Sequence, residues 1–249
     1  MNLFIADLKR SIFSVYFLFS VVFVLIILFV SISDEYAFGD MAGVLHLMDL
    51  ARGGPIGLLA PILATIPFSG SFSIERNNGF LPFVFVRSDK NTYIWSKLLT
   101  TGLSGAFVLT IPYVLFFLGL IIRFPNLPLD NSLAGPFGDV AHTSPIVYIF
   151  LMFIVTFVFG FIYALIGLAI STIFKQTLFA HVFPFALYLL PAFLFIFFDI
   201  AYLEPTTTWD IASNSFATVW TIGGQLFVLG LGSIILFYYK IHQMRFPNE

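Results

Sequence analysis

Few side chains in this sequence could carry out chemistry, and they are widely spaced. Ser104, within Gly102-Leu103-Ser104-Gly105, and His181, after Ala180, offer a hydroxyl nucleophile and an imidazole base. Such a pair can run acyl transfer without a third residue. The four histidines (His46, His142, His181, His242) lack metal-ligand spacing, so no metal site is expected. There is no cysteine, which excludes thiolate catalysis, disulfides and Cys-ligated metals. No G-x-x-x-x-G-K-[ST] run occurs, so the chain has no Walker A phosphate cradle of its own. The densest group of titratable residues lies in the segment 73–97, SIERNNGFLPFVFVRSDKNTYIWSK. Glu75 and Arg76 open it, Phe80 to Val86 form an apolar middle, and Arg87, Asp89, Lys90 and Lys97 follow.

The elements that must position these residues are set by composition. The chain has 249 residues, 59% hydrophobic and 10% charged, with a mean hydropathy of +1.01. Soluble domains carry about 25% charged residues. Here 34 Phe outnumber all 24 Lys, Arg, Asp and Glu, so a water-facing surface cannot be covered. That excludes the soluble and nucleic-acid-binding classes. A bilayer core of about 30 Å takes roughly 20 apolar helical residues. Runs of that kind predict an all-α, polytopic membrane protein, one transmembrane domain over 1–249. Its six spans are about 12–32, 55–72, 98–122, 146–173, 182–198 and 219–239. The first is too long for the apolar region of a cleaved signal peptide and is expected to stay as a helix. Ser144 and Pro145 are expected to cap and begin the fourth. Prolines 61, 67, 112, 184 and 191 are candidate hinges or tolerated kinks.

Charge distribution orients the spans. With both termini inside, the inner side holds Lys9, Arg10, Arg76, Arg87, Lys90, Lys97, Lys175, Lys240 and Arg245, and the outer side only Arg52 and Arg123. This bias predicts N-in, C-in insertion in the cytoplasmic membrane. Tyr93, Trp95, Tyr238 and Tyr239 are expected at the inner interface and Trp220 at the outer one. The first outer loop, 34–54, reads either as an extended hairpin packed on neighbouring helices or as a short amphipathic helix. As a helix it would be capped by Asp40, with Met41, Val44, Leu45 and Met48 on one face, and end at Gly53-Gly54-Pro55. The second, 123–144, is Pro-, Gly- and Asn-rich and expected to be irregular. The third, 199–218, carries Asp199, Glu204 and Asp210 with no basic residue.

The inner segment 73–97 is distinctive. Its apolar run of about seven residues is too short to cross a bilayer, so it should rest on the membrane surface or against a protein partner. Here the chain resembles the type-2 membrane subunits of ATP-binding-cassette exporters, six-helix permeases with both termini inside. The matching positions are Glu75, Arg76, Gly79, Leu81, Arg87, Ser88, Tyr93 and Lys97. Ala6-Asp7-Leu8-Lys9-Arg10 is similar to that family's short interfacial helix before the first span. The resemblance implies an ATPase-coupling loop made of Glu75, Arg76, Gly79, Phe80, Leu81, Phe83, Phe85, Arg87 and Lys97. It implies that Phe80 to Val86 dock in an ATPase cleft, while Glu75 and Arg76 tie the loop to the N-terminal helix or to the ATPase surface. Pro82 departs from the pattern and is expected to shorten the coupling helix to the residues after it. No catalytic residue, cofactor or metal belongs to this chain in that reading. ATP is hydrolysed by a separate cytosolic subunit, and a second permease subunit, identical or related, completes the pathway. A hydrophobic or amphipathic cargo is expected, such as a peptide antibiotic, drug or lipid-like molecule.

Two other readings stand beside it. Ser104 and His181 resemble the serine–histidine pair of rhomboid-type intramembrane proteases, but Pro184 stands where that family has glycine and its Trp-Arg loop is absent. A non-transporting membrane scaffold or channel is the other. Gly102, Ser104, Gly105, Gly160, Ala164, Gly167, Ser171, Gly223, Gly224, Gly230 and Gly232 read as small residues at helix or subunit contacts.

Overall fold

The computed structural model describes residues 3–38, 43–124, 136–198, 200, 203–211 and 217–244. Asp40, Met41, Asp199 and Arg245, which the sequence reading used, lie outside the described residues. Among the described residues the chain is all-α. Its helices are α1 (Leu3–Ile12), α2 (Val15–Ser31), α3 (Ser33–Phe38), α4 (Val44–Gly53), α5 (Ile56–Thr65) and α6 (Ser71–Asn77). There follow α7 (Leu81–Arg87), α8 (Lys90–Arg123), α9 (Gly138–Thr143), α10 (Pro145–Ile173), α11 (Leu178–Phe197) and α12 (Val219–Gln243). A 3₁₀ turn, Pro205–Thr208, precedes α12. Four helices (α8, α10, α11, α12) are long and apolar enough to cross a membrane, or up to six if two bent pairs each count as one span.

The caps follow from local chemistry. Ser14 accepts a hydrogen bond from the Phe17 N–H and starts α2 after a 48° bend from α1. Pro145 opens α10 at the position where a missing N–H costs nothing. Ser144 holds the cap position, with no side-chain hydrogen bond. Thr218 and Thr221 form a reciprocal capping box at α12.

Two expected elements differ. The second span, 55–72, is not one helix: α5 stops at Thr65, hydrogen-bonded turns cover 66–70, and α6 follows. Pro67 cannot donate to the Leu63 carbonyl and its ring crowds it, which ends the helix. At 10 residues α5 is about 15 Å long and pairs with α4 across a 70° bend. The third span begins earlier, at Lys90, so Tyr93, Trp95 and Lys97 lie on α8.

The segments read as outer loops also carry helix among their described residues. α4 is a helix, but it is enclosed by protein: Val44, Leu45, Leu47, Met48, Ala51 and Arg52 are all buried. In the segment 123–144, of which 125–135 lie outside the described residues, α9 forms before α10, and the segment after α11 sends Trp209 and Ile211 into the core.

α10 is the central helix, packed against α8, α12, α11 and α5. Close approach comes from small residues. A Cβ on Gly105 would lie 2.7 Å from the carbonyl oxygens of Ala64 and Gly160, and one on Gly160 would lie 2.6 Å from that of Gly105. Gly102 and Gly167 are likewise closed in, whereas Gly223, Gly224 and Gly232 have no protein atom within 4 Å of an added Cβ. The main core spans α2, α4, α5, α8 and α10. A smaller one gathers Phe72, Leu81, Tyr93, Leu98, Phe237 and Ile241, with Leu3 and Met244 against it. Both described chain ends therefore meet at one end of the molecule, beside α6 and α7.

Candidate functional site

At that end the segment 73–97, in which one short coupling helix was expected, builds a helical hairpin of α6 and α7. α6 ends in a Schellman motif: Phe80 N–H donates to the Glu75 carbonyl and Gly79 N–H to that of Arg76. Gly79 adopts φ +70°, the left-handed conformation this motif needs. Pro82 sits in the first turn of α7, so it starts the helix and does not shorten it. Leu81 is buried, and Phe85 packs edge-on against Tyr93 at 5.1 Å. Phe80, Phe83 (71% exposed), Val86 and Arg87 face outward. A groove of about 700 Å³ separates α7 from α1, lined by Leu3, Ala6, Arg10, Glu75, Phe83 and Arg87 among others.

Four charges and a tyrosine tie this hairpin to the body. Glu75 on α6 accepts from Lys97 Nζ (2.7 Å) and Arg10 Nη2 (2.6 Å) through Oε1, and from the Tyr93 hydroxyl (2.8 Å) through Oε2. Lys97 Nζ also lies 3.2 Å from Asp7 Oδ2, and Arg10 Nη2 lies 3.5 Å from Asp7 Oδ1. Two carboxylates face two basic side chains here, and Lys97 is only 1% exposed. Burial by itself would raise the Glu75 carboxyl; the Lys97 charge and the hydrogen bonds from Lys97, Arg10 and Tyr93 outweigh it and hold the group below the ordinary glutamate range. Lys97 also lies 4.7 Å from the centre of the Phe68 ring.

The expected site residues thus divide. Glu75 and Lys97 meet, with α1 joined through Arg10 and Asp7. Arg76 does not reach α1: it donates to the carbonyls of Thr172 (2.8 Å) and Phe174 (2.5 Å), capping the C-terminus of α10. Tyr93 is buried in the network. Asp7, Arg10 and Tyr93 stand in the segments that carry the family resemblance but were not counted in the coupling loop, although helical spacing offered a signal. Asp7 and Arg10 are three apart on α1, and Tyr93 and Lys97 four apart on α8.

A second polar centre lies toward the other end. Arg52 on α4 is 1% exposed; its Nε donates to the Trp209 carbonyl and its Nη1 to Thr156 Oγ1, both at 2.7 Å. Trp209 Nε1 returns a hydrogen bond to the Arg52 carbonyl at 3.0 Å, and the guanidinium lies 4.4 Å from the Trp209 ring centre. Close by on α4, Asp49 accepts from the Tyr148 hydroxyl at 3.2 Å. Tyr113, whose ring Arg52 also faces, is sixteen residues beyond Lys97 on α8. Thr156 is sixteen residues before Thr172 on α10. Both helices place the two polar layers roughly 24 Å apart.

Ser104 and His181 have separate engagements. Ser104 Oγ donates to the Thr101 carbonyl of its own helix, and His181 Nδ1 lies 3.1 Å from Thr65 Oγ1. No family model, curated protein or solved structure matches this chain.

Proposed function

We propose that this chain is the membrane-spanning permease subunit of an ATP-binding-cassette exporter, working as a pair of subunits with a separate cytosolic ATPase. The observation that carries this reading is the α6–α7 hairpin. It holds an apolar, outward-facing surface (Phe80, Phe83, Val86) on a rigid ion-pair base (Glu75, Lys97, Arg10) that grips α1 and α8. An exposed apolar helix beside charges suits docking to a soluble partner. A buried network at its root suits passing displacement to the long helices.

Six crossings, N-in and C-in, in the cytoplasmic membrane, fit this proposal. The segment from Arg52 to Glu75 joins the two polar layers, about 24 Å apart, close to the thickness of a hydrocarbon core. The basic residues gather at the end that carries α1, α6, α7 and the close of α12, as expected for a cytosolic face. The cargo in this reading is hydrophobic or amphipathic, because no Asp, Glu, Lys or Arg lies within 98–122, 146–173, 182–198 or 219–239.

The test is purification of the tagged full-length chain in mild detergent. A stoichiometric ATPase in the eluate, lost on Phe83→Asp while the chain keeps its helicity and thermal stability, is the expected result. A chain that elutes with no ATPase under conditions preserving its fold would sink the reading.

A further inference from the structure

A second trough, of about 620 Å³, lies beside the charge network. It is bounded by the α1–α2 corner (Arg10, Tyr16), by the segment around Phe68 and Ile74, and by Thr177 and His181 at the start of α11. Its volume is that of an ordinary small-molecule site.

Its polar chemistry favours an anion. Arg10 meets Asp7 and Glu75 through Nη2, yet its side chain is 54% exposed, leaving further N–H donors for a phosphate. The acids of this region, Asp7 and Glu75, are buried and already paired with Lys97, while Lys9 and Lys175 are exposed. The charge accessible from outside is therefore positive.

Its apolar chemistry favours a chain. Tyr16 at the trough, then Phe19 and Phe23, are all exposed and recur at i, i+3 and i+7, making one stripe down α2. A free phosphate would make no use of that stripe, whereas an acyl chain would lie along it.

We propose that this trough binds one anionic phospholipid of the surrounding bilayer, its phosphate held at Arg10 and its acyl chain laid along Tyr16, Phe19 and Phe23. Arg10, Glu75 and Phe80 line both this trough and the groove beside α7, so the lipid would touch the same ion pair that roots the hairpin. The proposal depends on the chain being membrane-embedded and is independent of any ATPase partner.

The full-length chain in detergent is titrated with phosphatidylglycerol or with phosphatidylcholine of identical acyl chains, and bound lipid is counted by native mass spectrometry. The expected result is one saturable phosphatidylglycerol per chain, held about tenfold more tightly than phosphatidylcholine. Arg10→Gln should equalise the two lipids. Ile74→Trp and Thr177→Trp, which fill the trough and leave the ion pairs in place, should abolish the saturable site even if Arg10→Gln fails to fold. Equal binding of the two lipids by the native chain, or an undiminished preference in both tryptophan variants, would overturn the proposal. Displacement of the lipid by an equal concentration of glycerol 3-phosphate would also overturn it, since a site read by phosphate alone needs no chain.

Discussion

Lys97 Nζ, on α8, lies 2.7 Å from Glu75 Oε1, on α6, with both side chains almost fully enclosed. Between them runs the chain reversal that includes α7. The pair therefore closes the base of the hairpin, and Arg10 and Asp7 extend the tie to α1. Enclosed charges of this kind add little stability against a well-packed apolar pair, but leaving one unpartnered is costly. The arrangement thus specifies which elements meet more than it strengthens them.

Removing one member should show that asymmetry. Lys97→Met should cost on the order of 3–5 kcal/mol, because Asp7 and Glu75 then share Arg10 alone. Combining it with Glu75→Gln should cost less than the sum of the two single changes. Thermal unfolding of the four proteins in one detergent gives the coupling, and strict additivity would refute the pairing.

Acid should weaken the same tie only at low pH. The Glu75 carboxyl is held below its ordinary range, so the folded state binds fewer protons there than the unfolded one. Its contribution is fully present above the ordinary glutamate pKa and falls away as pH drops through the depressed folded value. The melting temperature of the native chain should lose stability on its acid limb, and Glu75→Gln should flatten that limb. Identical acid limbs would place the titration elsewhere.

Arg52 and Trp209 exchange hydrogen bonds across α4 and the segment before α12. Arg52→Lys cannot keep both the Trp209 carbonyl and Thr156 with a single nitrogen in the same planar fork. It should lower stability by roughly 2 kcal/mol, the scale of a charge-assisted hydrogen bond. It should also shift the emission of buried Trp209 to longer wavelength, read against a Trp95→Phe, Trp220→Phe background. Unchanged emission and melting would show that the fork is dispensable.

Glycines should divide by what surrounds them. Gly105→Ala drives a methyl against the carbonyls of Ala64 and Gly160 and should destabilise by about 1–3 kcal/mol. Gly223→Ala, with open space around it, should be neutral or slightly stabilising through helix propensity. Equal effects of the two on melting temperature would contradict the close packing of α8 on α10.

The sequence by itself determined the elements governed by local physics. Long uninterrupted apolar runs located α10 almost to the residue and the start of α12, whose last turn runs four residues further to Gln243, since hydropathy and Ser144-Pro145 act within one helix turn. Charge sorting likewise grouped the basic residues that the tertiary structure gathers around α1, α6 and α7. In the second span the sequence marked Pro61 and Pro67 as possible interruptions, but not which of them ends the helix: α5 runs through Pro61 and stops before Pro67. The tertiary structure alone decided which charges meet. Glu75 and Lys97 are 22 residues apart, Glu75 and Arg10 are 65, and Arg52 and Trp209 are 157. A count of charges assigns a side of the membrane, but a buried ion needs a partner at about 3 Å, and only the packing of α4, α6 and α8 against their neighbours brings one within reach.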